Sequence, residues 1–181
     1  MNLIEIFQDL VAQVPALVQP LIVAAAGAVP FIEGEGAAAI GIIGGIHPAI
    51  AAVAGIVGNF VCVAVLVLLT ARTRVAVVTR TRERRLVAAG GTEITETAAP
   101  ADGDRGRGTA RKAKFQRALE RYGVPGVSLL GPLLLPTQFT ATLLAGAGVR
   151  PARILFWQGL AIVAWTTLLT FVVSGAMSAV H

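Results

Sequence analysis

Apolar and polar positions along this chain fall into blocks with changing periods. In residues 2–14, Leu3, Phe7, Leu10, Val11 and Val14 share one helical face, with Ile4 and Ile6 at its flanks. Asn2, Glu5, Gln8, Asp9 and Gln13 fall largely elsewhere. That period predicts an amphipathic helix lying at a membrane surface. Residues 15–29 are apolar but interrupted by Pro15, Gln19 and Pro20. The stretch "AVPFIEGEGAAAIGIIGGIHP" follows, with Glu33 and Glu35 inside apolar sequence and an Ala/Gly/Ile arm running to Ile46. From Pro48, a residue suited to a first helical turn, the chain runs to Thr70 without a charge. That run matches the roughly 20 residues a bilayer requires.

Past Thr70 the helix is predicted to continue into water as "ARTRVAVVTRTRERRLVAA" and to stop at Gly90-Gly91. Residues 92–110 are polar, Gly-rich and low in large apolar residues, so they read as a linker. Residues 111–121, "RKAKFQRALER", predict a short basic surface helix held through Phe115 and Leu119. The second half then repeats the layout of the first. Gly123 to Gly148 is apolar but broken by Pro125, Gly126, Gly131, Pro132 and Pro136, with "PTQFTATLLAGAG" after the break. Beyond Arg150 and Arg153, "ILFWQGLAIVAWTTLLTFVVSGAM" predicts a second clean span.

Composition narrows the class. With 55% hydrophobic and 14% charged residues and a mean hydropathy of +0.76, the chain belongs with integral membrane proteins. All but two of its 15 Lys and Arg lie between Arg72 and Arg121. A basic loop beside apolar spans follows the positive-inside rule and places 71–121 in the cytoplasm. Nucleic acid is not an expected partner, since no basic patch is interleaved with aromatics. Cys62 stands alone in an apolar run, so it reads as a packing residue and excludes a disulfide framework or a cysteine metal site. The N-terminus lacks the basic region of a cleaved signal peptide. No P-loop, HExxH or metal-ligand cluster is present, so no cofactor, no metal and no enzymatic activity are expected.

Orientation decides what the broken segments do. If 123–148 crossed fully, Arg150 and Arg153 would lie outside; if it dips in and returns, both stay inside with the other basic residues. A re-entrant hairpin is therefore expected there, and by the same layout 15–46 forms a hairpin entering from the other face. The predicted architecture is an all-α integral membrane protein, an inverted repeat of surface helix, re-entrant hairpin and transmembrane helix. Its divisions are a first membrane repeat (1–70), a cytoplasmic segment (71–121) and a second membrane repeat (122–181). Inverted repeats with broken helices describe a transporter whose site lies where the breaks meet.

The candidate chemistry follows from cost. A charge at the bilayer centre costs about 2.5–3.5 kcal/mol on the insertion scale, against about 0.3–0.6 recovered per strong apolar residue. Glu33 and Glu35 must therefore face water, meet partners or be protonated. A protonatable acid there could carry a proton or meet a cation; the alternative is that "EGEG" is a solvated loop. Asn59, midway along the first span, reads as interhelical glue or as a site-lining residue. Thr137 and Gln138, with Thr140 and Thr142 after Pro136, either satisfy backbone freed by the proline or line a cavity. Arg121 before "YGVPG" is a candidate lipid-phosphate contact or the end of the basic helix. His47 reads as an interface residue. Gly41, Gly44, Gly45, Gly55 and Gly58 permit close helix approach.

The segments "PFIEGEGAAAIG", "GNF" and "RYGVPGV…LLLPTQFTATLLAGAG…FWQG…W" resemble the small multidrug export protein family, itself similar to the DedA (VTT-domain) superfamily. The likeness covers about residues 28–66 and 120–166. The family's proline followed by a membrane glutamate matches Pro30 and Glu33. Where the family often has a base two positions later, this chain has Glu35. DedA proteins usually place an arginine after the second-hairpin proline, where Thr137-Gln138-Phe139 follow Pro136 here. They tend to have Gly-Asp where this chain has Gly58-Asn59. The resemblance implies two facing re-entrant hairpins and a transport role. The expectation is a multi-pass plasma-membrane transporter, proton-coupled and exporting a cationic or amphipathic small molecule. Its partners would be membrane lipids and a small amphipathic or lipid substrate, and the small-residue surfaces leave a homo-oligomer open. The alternatives are a lipid or polyprenyl-phosphate flippase, with Arg121 gathering the anion, and a non-transporting membrane homeostasis protein.

Overall fold

A computed structural model describes residues 3–88, 108–133 and 135–180. Among the described residues the fold is entirely helical. Seven helices follow in order: α1 (Leu3–Gln13), α2 (Gln19–Gly27), α3 (Glu33–Ile43), α4 (Pro48–Ala88), α5 (Gly108–Leu130), α6 (Thr137–Gly146) and α7 (Pro151–Val180), with a 3-10 turn at Gly131–Leu133. Two segments, Pro48–Val77 of α4 and Pro151–Ala179 of α7, are long and apolar enough to cross a membrane. Both begin at a proline, whose missing N–H costs nothing in a first turn. The His47 ring accepts a hydrogen bond from the Ala49 N–H at the start of α4.

Some boundaries agree with those predicted and others differ. The helix from Pro48 continues past Thr70, as expected, and runs to Ala88. Nothing from Thr70 to Ala88 is a proline or glycine, and straight-chain arginines sustain the helix in water. Gly90-Gly91 and residues 92–107 of the expected linker lie outside the described residues, but its last three residues, 108–110, are helical. Helix α5 consists of two helical pieces joined at Gly123, whose backbone (φ +64°, ψ −173°) is not helical, so the basic piece ends beside Arg121 as predicted and a second piece runs to Leu130. Only glycine adopts that backbone cheaply, and it lets the helix change direction ahead of Pro125. Leu119 does not face outward: it packs against a buried cluster. Helix α7 starts at Pro151 and so includes Arg153.

Two buried clusters organise the helices. In the first, Val11 of α1, Val23 and Ala26 of α2 and Ile40 of α3 pack on Ala51 and Ala54 of α4. In the second, Val63 and Val67 of α4 meet Val127 of α5, Leu144 of α6 and Ile154 and Ile162 of α7. Helix α7 begins in the second cluster and reaches the first at Val173. Helices α4 and α7 therefore run antiparallel, each serving both clusters, while α2/α3 and α5/α6 each serve one. The side of α4 away from the clusters exposes Val53, Val57, Val61 and Val65.

Glycine decides how close the first cluster packs. A Cβ on Gly27 would lie 2.7 Å from the Gly55 carbonyl oxygen, and one on Gly55 would lie 2.6 Å from that of Gly34. A Cβ on Gly58 would overlap the Ala24 backbone. Helices α2, α3 and α4 thus meet backbone to backbone, which larger residues forbid. Gly45 is different: it takes φ +86° in the α3–α4 turn with open space around it, so it serves the turn and not helix approach.

Candidate functional site

The site forms where two chain breaks meet. The first separates α2 from α3. Pro30 removes a backbone donor there, and Phe31 and Glu33 take left-handed backbone, φ +73° and +56°. Such conformations in residues with a Cβ cost about 1–3 kcal/mol each and persist only where surrounding structure enforces them. The second break separates α5 from α6. After the 3-10 turn the chain extends through Pro136 (φ −51°, ψ 142°), and α6 begins at Thr137.

Proline cannot cap α6 with its own side chain, and no local side chain does so. Glu33 caps it instead. The Thr137 N–H donates to Glu33 Oε1. The Thr137 hydroxyl donates to the same oxygen at 2.9 Å. A carboxylate at a helix N-terminus meets both an unpaired amide and the positive end of the helix dipole. The cap joins residues 104 apart in sequence.

A second tier surrounds this contact. The Thr137 hydroxyl is also 3.2 Å from Asn59 Oδ1 and 3.4 Å from Gln138 Oε1. It carries one proton, so it can serve only one of these acceptors well. Gln138 Nε2 donates to Asn59 Oδ1 at 3.2 Å. Asn59 Nδ2 has no hydrogen-bond partner among the described residues. All four residues are buried, Glu33 being 4% exposed and Asn59 0%. With Glu33 ionised, the charge-assisted bond to its carboxylate wins the hydroxyl. With Glu33 neutral, that advantage vanishes and the hydroxyl is free to turn to Asn59. The cluster can thus register one proton as a rearranged hydrogen-bond set.

A cavity of about 260 Å³ opens beside this cluster, lined by Glu33 and Glu35 from the first break and by Pro132, Leu135 and Pro136 from the second. Phe31 sits at its rim, its ring centroid 6.4 Å from that of Phe139. Glu35 is half-buried and lines the cavity without joining the Thr137 network. Among the described residues, no basic side chain pairs with either glutamate, and no group of three or more potential metal ligands occurs.

The structure therefore brings together Glu33, Asn59, Thr137 and Gln138, and places Glu35 at the cavity beside them. It does not bring Arg121 to the cavity. That side chain is exposed on α5, its guanidinium 5.5 Å from the Tyr122 ring centroid. Three buried polar residues carried a signal that the sequence reading did not use: Ser128, Gln158 and Thr166. Thr166 lies mid-span in α7, as Asn59 does in α4, and the same reasoning would have singled it out. No family model, curated protein or solved structure matches the chain.

Proposed function

We propose that this chain is a multi-pass membrane transporter in which two re-entrant hairpins, α2–α3 and α5–α6, enter from opposite faces and meet at mid-depth. Glu33 is its proton-binding residue. The observation that carries the reading is the bond between Glu33, at the tip of one hairpin, and Thr137, at the tip of the other.

Depth supports it. Asn59 lies 11 residues beyond Pro48, about 16 Å along α4, near the middle of a hydrocarbon layer about 30 Å thick. Helices α2, α3 and α6 hold 9, 11 and 10 residues. Each is about 14–16 Å long, half the distance required to cross. Near its far end α3 packs at Ala51, close to the start of α4, through Gly41. The α6–α7 turn lies instead beside Arg74, through Gly148. The hairpins thus return toward opposite ends of α4. Arg150 and Arg153 then stay on the side of Arg72 and Arg74, as a cytoplasmic basic face requires. Non-helical backbone at that depth is tolerated where it lines a cavity, as both breaks do here.

Two carboxylates and no base at the cavity suit a cationic or neutral amphiphile. A phosphate-bearing substrate would find no cation there, because Arg121 stands elsewhere. The reading is tested with purified protein in proteoliposomes. Lipophilic ammonium compounds are added while internal pH is followed, for wild type and Glu33→Gln. Proton movement that depends on compound in the wild type and is lost in the variant is the expected result. Equal traces from both would remove Glu33 as the coupling residue.

A further inference from the structure

Helix α7 carries hydroxyls at every fourth residue from the site to its exposed end: Thr166, Thr170, Ser174 and Ser178. Steps of four residues drift by roughly 40° each, so the four lie along one broad face. Their exposure is graded. Thr166 is 0% exposed, Thr170 and Ser174 are half-buried, and Ser178 is exposed. The inner end touches the glutamate tip: a Cβ on Gly34, between Glu33 and Glu35, would collide with the Thr166 hydroxyl. Helix α3 packs on α7, and Val173 of α7 packs on the cluster that contains Ile40 of α3.

The hydrogen bonding of these hydroxyls is unusual. Buried Ser and Thr in a helix ordinarily bond back to the carbonyl three or four residues earlier. Half-buried Thr142 and exposed Thr73, Thr79 and Ser178 make such bonds in this molecule. Thr166, Thr170 and Ser174 do not. Their oxygen atoms are buried and have no partner among the described residues. A buried hydroxyl left without a partner calls for a ligand or water. Successive rungs are about 6 Å apart along the axis, too far for a direct hydroxyl–hydroxyl bond and suited to one intervening water.

We propose that Thr166, Thr170 and Ser174 line a proton path along the α3–α7 interface, joining the Glu33/Glu35 tip to the membrane face at the C-terminal end of α7. The proposal rests on the proton-coupled reading above and adds the route. Each hydroxyl accepts a proton from the water on one side and gives its own to the water on the other, so no bond order or charge changes along the row. The ionisable groups on the helices that flank the row are few. Helix α3 contributes Glu33 and Glu35, α7 has Arg153 at its opposite end, and the spanning part of α4 down to Ala71 has Cys62 alone. Glu5, Asp9 and His47 are exposed.

Two measurements decide it. In a Cys62→Ala background, Thr170→Cys and Ser174→Cys are reacted in proteoliposomes with a small, charged thiosulfonate reagent. Leu168→Cys and Val172→Cys, on the exposed side of α7, serve as controls. A thiol reacts as thiolate, which forms where water reaches it, so the path residues are expected to react about tenfold faster than the controls. Equal rates overturn the path. In the second measurement, a lipophilic ammonium compound is added and the compound-dependent proton movement is read with an internal pH dye. The triple variant Thr166→Val, Thr170→Val, Ser174→Ala is expected to lose about four-fifths or more of the wild-type flux, as removal of a relay requires. Full flux in the triple variant, with none in Glu33→Gln, overturns the path and leaves the transporter reading standing. Absence of proton flux in the wild type overturns both.

Discussion

The two chain breaks, between α2 and α3 and between α5 and α6, have tips built on opposite principles. The α2–α3 tip carries both acids, two left-handed non-glycine residues and glycines packed backbone to backbone on α4. The α5–α6 tip carries prolines, neutral hydroxyl and amide groups, and a helix N-terminus without a local cap. One tip supplies charge; the other supplies the donors that receive it. The difference indicates why neither tip would suffice alone. A lone buried carboxylate is expensive, and so is an uncapped helix end at depth. Their meeting offsets both costs.

The largest expected effect comes from removing the charged partner. Glu33→Ala is predicted to abolish proton coupling in the proteoliposome assay. It also leaves the Thr137 N–H buried without an acceptor, which is expected to cost about 1–3 kcal/mol of unfolding free energy in detergent micelles. Glu33→Gln keeps an acceptor oxygen, so it should lose coupling with a smaller loss of stability. Variants that cost equal stability would break the claim that Glu33 is both cap and proton site.

Next in size is the packing that holds the acidic tip. Gly58→Ala drives a methyl into the Ala24 backbone and is expected to destabilise by about 1–3 kcal/mol. The same substitution at Gly146, where a Cβ meets nothing, should be neutral or slightly stabilising. A matched thermal-unfolding series separates the two.

The receiving tip should respond more mildly. Thr137→Val keeps the amide cap but removes the hydroxyl that chooses between Glu33 and Asn59. A loss of about 1 kcal/mol is expected, with the pH response of transport flattened and restored by Thr137→Ser. An unchanged pH profile in Thr137→Val would show that the hydroxyl is passive. The smallest effect is expected at Arg121→Ala: transport within about twofold of wild type, since an exposed charge away from the cavity contributes little.

Much of this fold was legible because membrane segments announce themselves locally. The uncharged run from Pro48, the second run beyond Arg153 and the Pro/Gly breaks before Glu33 and Thr137 are patterns of adjacent residues. The stop at "RYGVPG" was legible too: Gly123 breaks the basic helix there, and a second helical piece runs on to Leu130. At the site, Glu33 and Gln138 were each visible as polar residues in apolar sequence. That Glu33 caps the helix of Thr137 was not, because the contact spans 104 residues. Glu35 and Arg121 show the converse. Both looked chemically apt, yet one only lines the cavity and the other stacks on Tyr122.

By itself, then, the sequence determined that the chain is helical, which two stretches are long and apolar enough to span a membrane, and where the helices break. Hydropathy, proline and glycine act over a few residues, so their consequences can be read in order. Only the tertiary structure decided that the two breaks meet, that Glu33 and not Glu35 takes the Thr137 donors, and that Thr166, at the inner end of the α7 hydroxyl row, lies against Gly34. Those outcomes depend on helix crossings set by backbone contacts at Gly27, Gly34, Gly55 and Gly58. Such a crossing is a property of surfaces brought together from distant parts of the chain, which no local pattern specifies.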